Sequence, residues 1–94
     1  MERRYLLTKS PRKAKKYVLI SGDDKIHFGA AGYDDFTTHK DEKRKENYLT
    51  RHGATQSHLW THTKDNLLTP SYLSRYLLWE EPDLADAVRN VERK

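Results

Sequence analysis

The chain has 94 residues, of which 35% are hydrophobic and 34% charged, so it is more polar than an ordinary globular domain; it carries a formal charge of +4. That length allows one domain at most, which buries only roughly 60 to 65% of the surface its unfolded form exposes, while ten aromatic residues argue against a wholly disordered chain. The absence of cysteine excludes disulfides, thiol nucleophiles and thiolate metal sites.

The positive charge is concentrated at the start. Residues 1–16 hold seven basic residues against Glu2, a net of +6, and the remaining 78 residues sum to −2. Attraction for phosphates, the main non-specific component of nucleic-acid affinity, is therefore expected in an arm rather than in the fold. Residues 1–14 are read as that flexible basic arm, because Ser10-Pro11 breaks any helix and Tyr5-Leu6-Leu7 is too short an apolar patch to order it. On this reading Tyr5, Leu6 and Leu7 anchor to a partner, and Arg3, Arg4, Arg12, Lys13, Lys15 and Lys16 face acidic protein or phosphate. The segment MERRYLLTKSPRKAKK lacks the apolar stretch of a secretory signal, and no run approaches the ~20 apolar residues of a membrane span, so a soluble, intracellular or packaged protein is expected.

Residues 15–94 are expected to form a small α+β domain, a short β-hairpin packed by about three helices. Lys16 to Ile20 is β-branched and aromatic, Ser21-Gly22-Asp23-Asp24 is turn chemistry, and Ile26 and Phe28 share one face of a second strand. A lone hairpin is marginal in water, so helices must cover it. Asp41 stands at an N-cap position before a helix over 42–52, which Gly53 is expected to close. Residues 53–69 lack periodicity and read as a loop carrying His58, Trp60 and His62, with Trp60 as a core or interface plug. Thr69-Pro70 starts a helix over 70–79, and Leu84, Ala87, Val88 and Val91 form an amphipathic stripe on a last helix over 82–92.

The segments KYVLI, KIHFG, YDDFTTHKDEKRKENYLTRH and YLSRYLLWEEP together resemble a small domain family of unknown function found mainly in large DNA viruses and phages. Its members follow a pattern close to IHFG, then DYTxHKDxxRKxxYxxRH, then a tryptophan, then LLWxxP. The resemblance runs from about Lys16 to Pro82. Phe36 replaces the usual tyrosine, Gly53-Ala54 replaces a basic pair, and Tyr72 and Tyr76 stand where tryptophan-like residues are common. The resemblance implies a viral origin and a shared compact scaffold.

Asp35, His39, Asp41 and His52 are residue types that suit acid–base chemistry or a hydrolytic metal. Three of them flank a helix start, however, where capping uses the same types, so a structural hydrogen-bond network with Arg44 and Arg51 is the expectation. Arg44 and Arg51 lie two turns apart on one helix face, placing one of them to pair with Asp35 or Asp41. His58 and His62 have i, i+4 spacing without a third ligand. The order of hairpin and Arg/His helix is superficially similar to GIY-YIG nucleases, but the Gly-Ile-Tyr, the Tyr-Ile-Gly and the metal-binding glutamate are missing.

The expected function is a non-enzymatic structural or interaction protein of a virion, a minor capsid or connector subunit that is present in the host cell during assembly. Its expected partners are other viral structural proteins and, through the arm, DNA; no cofactor, membrane or small-molecule substrate is expected. The alternative is a free nucleic-acid-binding module using the arm and the Lys43-Arg44-Lys45 run, and a lesser one is a small nuclease.

Overall fold

The computed structural model describes residues 5–63, 66 and 69–93. Three antiparallel strands, β1 (Leu6–Lys9), β2 (Lys15–Ser21) and β3 (Asp24–Ala30), make one sheet in the order β1-β2-β3. Ser21 and Asp24 pair across the β2–β3 turn, and Gly22 supplies the positive φ of 61° that its first central position requires. Direct pairing of Leu7 with Leu19, Leu19 with Ile26 and Tyr17 with Phe28 puts these side chains on one face.

That face is covered by a helix that begins as α3 (Pro70–Leu73) and continues through a π-helical turn, Ser74–Leu78, and by α4 (Leu84–Glu92). Leu19 and Phe28 meet Tyr72, Leu73, Leu77, Leu78, Ala87 and Val91 in the main core. Thr69 caps α3 with Pro70 in its first turn, as its sequence predicts, and Asp83 caps α4 by accepting from the N–H groups of Ala85 and Asp86. Two further helices, α1 (Phe36–His39) and α2 (Glu42–Gln56), sit at the end of the sheet. Among the described residues no helix is long and apolar enough to cross a membrane.

The α+β class holds, with three differences from the sequence reading. The arm expected over residues 1–14 is, over Leu6–Lys9, an edge strand paired with β2 from Leu6–Ile20 to Lys9–Tyr17. Tyr5 and Leu7 pack against the core, and the Tyr5 N–H donates to Glu92 Oε2 at 3.0 Å, tying the strand to the far end of the chain. Arg3 and Arg4 lie outside the described residues. Second, α2 does not stop at Gly53 but runs through it to Gln56, followed by a 3-10 turn, Ser57–Trp60. A Cβ on Gly53 would be in van der Waals contact with the Trp60 ring at 3.4 Å, so this glycine lies against the tryptophan inside the helix instead of ending it. Third, residues 36–39 form a helical turn that the sequence reading does not include.

Gly29 has a conformational requirement and a steric one together: φ is +79°, and a Cβ there would lie 3.0 Å from Leu78 Cδ1 and 3.3 Å from Lys16 Cβ. Gly29→Ala is therefore expected to cost about 1–3 kcal/mol through backbone strain and overpacking. Urea unfolding checks this, and an unchanged midpoint would show that the strand does not need glycine.

Candidate functional site

The stretch from Asp35 to Asp41, with one histidine and an aspartate at each end, forms a corner between two helix starts. Asp35 is 2% exposed, the sole charged residue buried to that degree among those described. Its Oδ1 accepts from the Thr37 N–H at 2.9 Å and from the Thr37 hydroxyl, while its own N–H donates to Thr38 Oγ1 at 3.0 Å, completing a capping box for α1. Its Oδ2 receives Lys16 Nζ at 2.5 Å. Lys40 closes α1 with a left-handed φ of 54°, and Asp41 begins α2 by accepting from the N–H groups of Lys43 and Arg44 at 2.9 and 3.2 Å. The Asp41 N–H in turn donates to His39 Nδ1 at 2.9 Å. That bond leaves the ring proton of neutral His39 on Nε2, a buried atom with no hydrogen-bond partner among the described residues.

The expected network is thus divided. Asp35, His39 and Asp41 belong to the corner. Arg44 and Arg51 do not reach it: the partner of Asp35 is Lys16, which the sequence reading counts among the interaction residues, and the Asp41 side chain is occupied by backbone donors. The Lys43-Arg44-Lys45 run also separates. Lys43 faces solvent beside Glu46 at 3.9 Å, and Lys45 turns inward to donate to the Glu80 carbonyl at 2.8 Å with its ammonium 4.8 Å from the Phe36 ring centroid.

Arg44 and Arg51 instead line a cleft of about 840 Å³ between the end of the sheet, α2 and the α3 helix. Lys15 and Lys16 stand on the sheet side, and Ser71, Ser74 and Leu78 on the helix opposite. The cleft carries four cations against the two carboxylates Asp34 and Asp35, of which Asp35 is already neutralised by Lys16. Among the described residues Lys15, Arg44 and Arg51 have no carboxylate partner.

The cleft wall is aromatic. Tyr48, buried on α2, lies between Trp79 at 4.2 Å and 3° and His52 at 4.3 Å and 29°, making a three-ring stack whose members all line the cleft. Burial pushes the Tyr48 hydroxyl up to about 12, with Arg75 and Arg51 pulling the other way. Trp60 adds a fourth, offset ring, donates Nε1–H to Ser71 Oγ at 3.2 Å and carries the Arg75 guanidinium at 5.4 Å, so it is a plug within the fold. Sequence spacing places Tyr48 and His52 one helical turn apart, but the stacking of Tyr48 on Trp79, 27 residues beyond His52, has no local signal.

The other expected interaction residues are scattered. Tyr5 and Leu7 face the core, Leu6 is 61% exposed on the outer face of the sheet, and Arg12 and Lys13 are exposed in the β1–β2 turn. His58 and His62 do not converge: His62 Nδ1 lies 2.5 Å from the Tyr72 hydroxyl, while His58 offers its carbonyl to Asn66. No three His, Asp or Glu residues among those described could together hold a metal ion.

Two histidines are held below the usual histidine range. Burial lowers His52, helped by Arg51, and burial followed by Arg12, Lys25 and Lys15 lowers His27, whose Nδ1 lies 2.7 Å from Ser10 Oγ. The folded chain therefore binds these protons less tightly than the unfolded chain, and the stability present above the unfolded value of 6.5 is lost as pH falls below it toward the folded values. A falling melting temperature is expected as the pH is taken below 6.5, and the His27→Gln/His52→Gln variant should flatten it. An equally steep fall in that variant would assign the effect to other groups.

The sequence signature of a family of unknown function, DUF5754, matches residues 5–52, just over half the chain, from the residue before β1 to the end of the Arg51-His52 pair. No curated protein and no solved structure matches.

Proposed function

We propose that this chain, which belongs to the family DUF5754, is a non-enzymatic interaction subunit of a virus or phage particle, and that it holds an anionic stretch of a neighbouring component in its cleft. One observation carries this reading: the polar residues divide into two sets. Asp35, Asp41 and His39 are engaged in starting α1 and α2, whereas Lys15, Arg44 and Arg51 line an open concavity with no carboxylate partner among the described residues. Carboxylates held by backbone N–H groups are explained by capping alone, without proton transfer. Cations gathered in a cleft raise the local concentration of an oppositely charged partner and set its orientation. The virion setting rests on the resemblance of the IHFG, HKD and LLWxxP segments.

The free nucleic-acid-binding reading is favoured by the same cleft, no longer by the Lys43–Lys45 run, because Lys45 points into the fold. Quantitative mass spectrometry of purified particles separates the two: a copy number comparable to known structural subunits is expected, and detection only in the soluble fraction of infected cells would sink the particle role. Arg44→Glu/Arg51→Glu should keep its melting temperature, since both side chains are exposed, and should fail to enter particles.

A further inference from the structure

The geometry points to single-stranded nucleic acid as the ligand of the cleft, with an unpaired base stacked on the outer face of His52 and the flanking phosphates on Arg44, Arg51 and Lys15. This rests on the reading of the cleft as an anion-binding site and adds its chemical class.

The stack carries the argument. Tyr48 stacks on both Trp79 and His52, and all three rings line the cleft; Trp79 also meets His39 at 5.4 Å, whereas among the described residues His52 meets no ring but Tyr48, so His52 is the open end of the column. His52 is half-buried, and the face not stacked on Tyr48 is the one that a base entering the cleft would take. Every nucleobase has a matching π-face, so such a platform accepts bases without regard to sequence. Because burial and Arg51 favour its neutral form, His52 stacks at neutral pH as an uncharged ring.

Charge and spacing fit the rest of a strand. Arg44 and Arg51 are seven residues apart on one helix and thus roughly 10 Å apart along its axis, both on the N-terminal side of His52. Lys15 faces them from the sheet. The exposed Asn47 amide, one turn before Arg51, offers both a donor and an acceptor to a base edge. A duplex does not satisfy this arrangement, because its bases are stacked on one another and show only their edges. An acidic peptide would use the cations and leave the aromatic column without a role.

The experiment titrates the full chain at low salt with three polyanions: an oligothymidylate of about twelve nucleotides, an abasic strand of the same charge, and poly-glutamate. The oligothymidylate is expected to bind about 5- to 100-fold more tightly than the abasic strand. His52→Ala should remove that advantage and His52→Phe restore it, which a general folding defect would not do. Arg44→Glu/Arg51→Glu should weaken both nucleic-acid ligands and reduce the log–log salt slope by about 1.4, the value for two lost single-strand phosphate contacts. Equal affinity for the thymidylate and abasic strands overturns the stacking inference, as does binding that survives the double charge reversal. Poly-glutamate binding at least as tightly as the thymidylate overturns the nucleic-acid class while leaving the anionic cleft standing. Failure to bind any of the three removes both readings.

Discussion

Asp35→Ala is expected to cost about 3 kcal/mol, an effect that distinguishes a structural carboxylate from a catalytic one. Loss of the α1 cap accounts for about 1 kcal/mol, since the Thr37 N–H loses its acceptor. The remainder comes from the Lys16 ammonium, whose side chain is 18% exposed and which is left without its counter-charge. Breaking a fully buried pair costs about 3–5 kcal/mol, and the residual exposure of Lys16 places this one below that range. Asp35→Asn keeps an oxygen for the cap and removes only the charge, so it should cost less, about 1–2 kcal/mol. Chemical denaturation of the two variants tests the ordering. Wild-type stability in Asp35→Ala would mean that the carboxylate is kept for chemistry and not for the fold.

The parts of the fold that were legible in the sequence are those decided by a few adjacent residues. Gly22 sets the hairpin turn, Thr69-Pro70 starts α3, Asp41 starts α2, and the Leu84–Val91 stripe faces the core as its spacing requires. Each is a local rule that the tertiary structure does not override. Gly53 shows where such a rule fails. A glycine at the twelfth position of a helix reads as a stop, but here it packs against the Trp60 ring and the helix continues.

The site was less legible because its residues meet through long-range packing. Arg44 and Arg51 share a face by periodicity, and that much was evident. Which way the face points depends on Tyr48 stacking against Trp79, which orients α2 and turns both arginines to the cleft. Lys16 was hidden within a run of positive charge, where nothing local separates a lysine that reaches Asp35 from one that faces solvent. The chemistry-bearing types between Asp35 and Asp41 were recognised, and capping, the simpler explanation for them, is what the structure displays.

The edge strand supports the second large effect. Deleting residues 1–10 removes β1, the half-buried Tyr5 and Leu7, and the bond from Tyr5 N–H to Glu92 that joins the sheet to α4. Half-burial of two large side chains contributes about 1–1.5 kcal/mol each, and the lost ladder exposes the β2 edge and one side of Leu19, which is otherwise fully buried. The deletion should therefore cost about 3 kcal/mol or more, in a domain whose whole stability is of order 5–10 kcal/mol. The melting temperature is expected to fall by more than about 12 °C, and Leu7→Ala alone should reproduce part of that drop. An unchanged melt after the deletion would restore the flexible arm that the charge pattern of residues 1–14 suggests. If the melt collapses, a β1 deletion cannot be used to test partner binding, because loss of binding would only report loss of the fold. The charge reversal at Arg44 and Arg51, which leaves the sheet intact, is then the cleaner test of what the cleft holds.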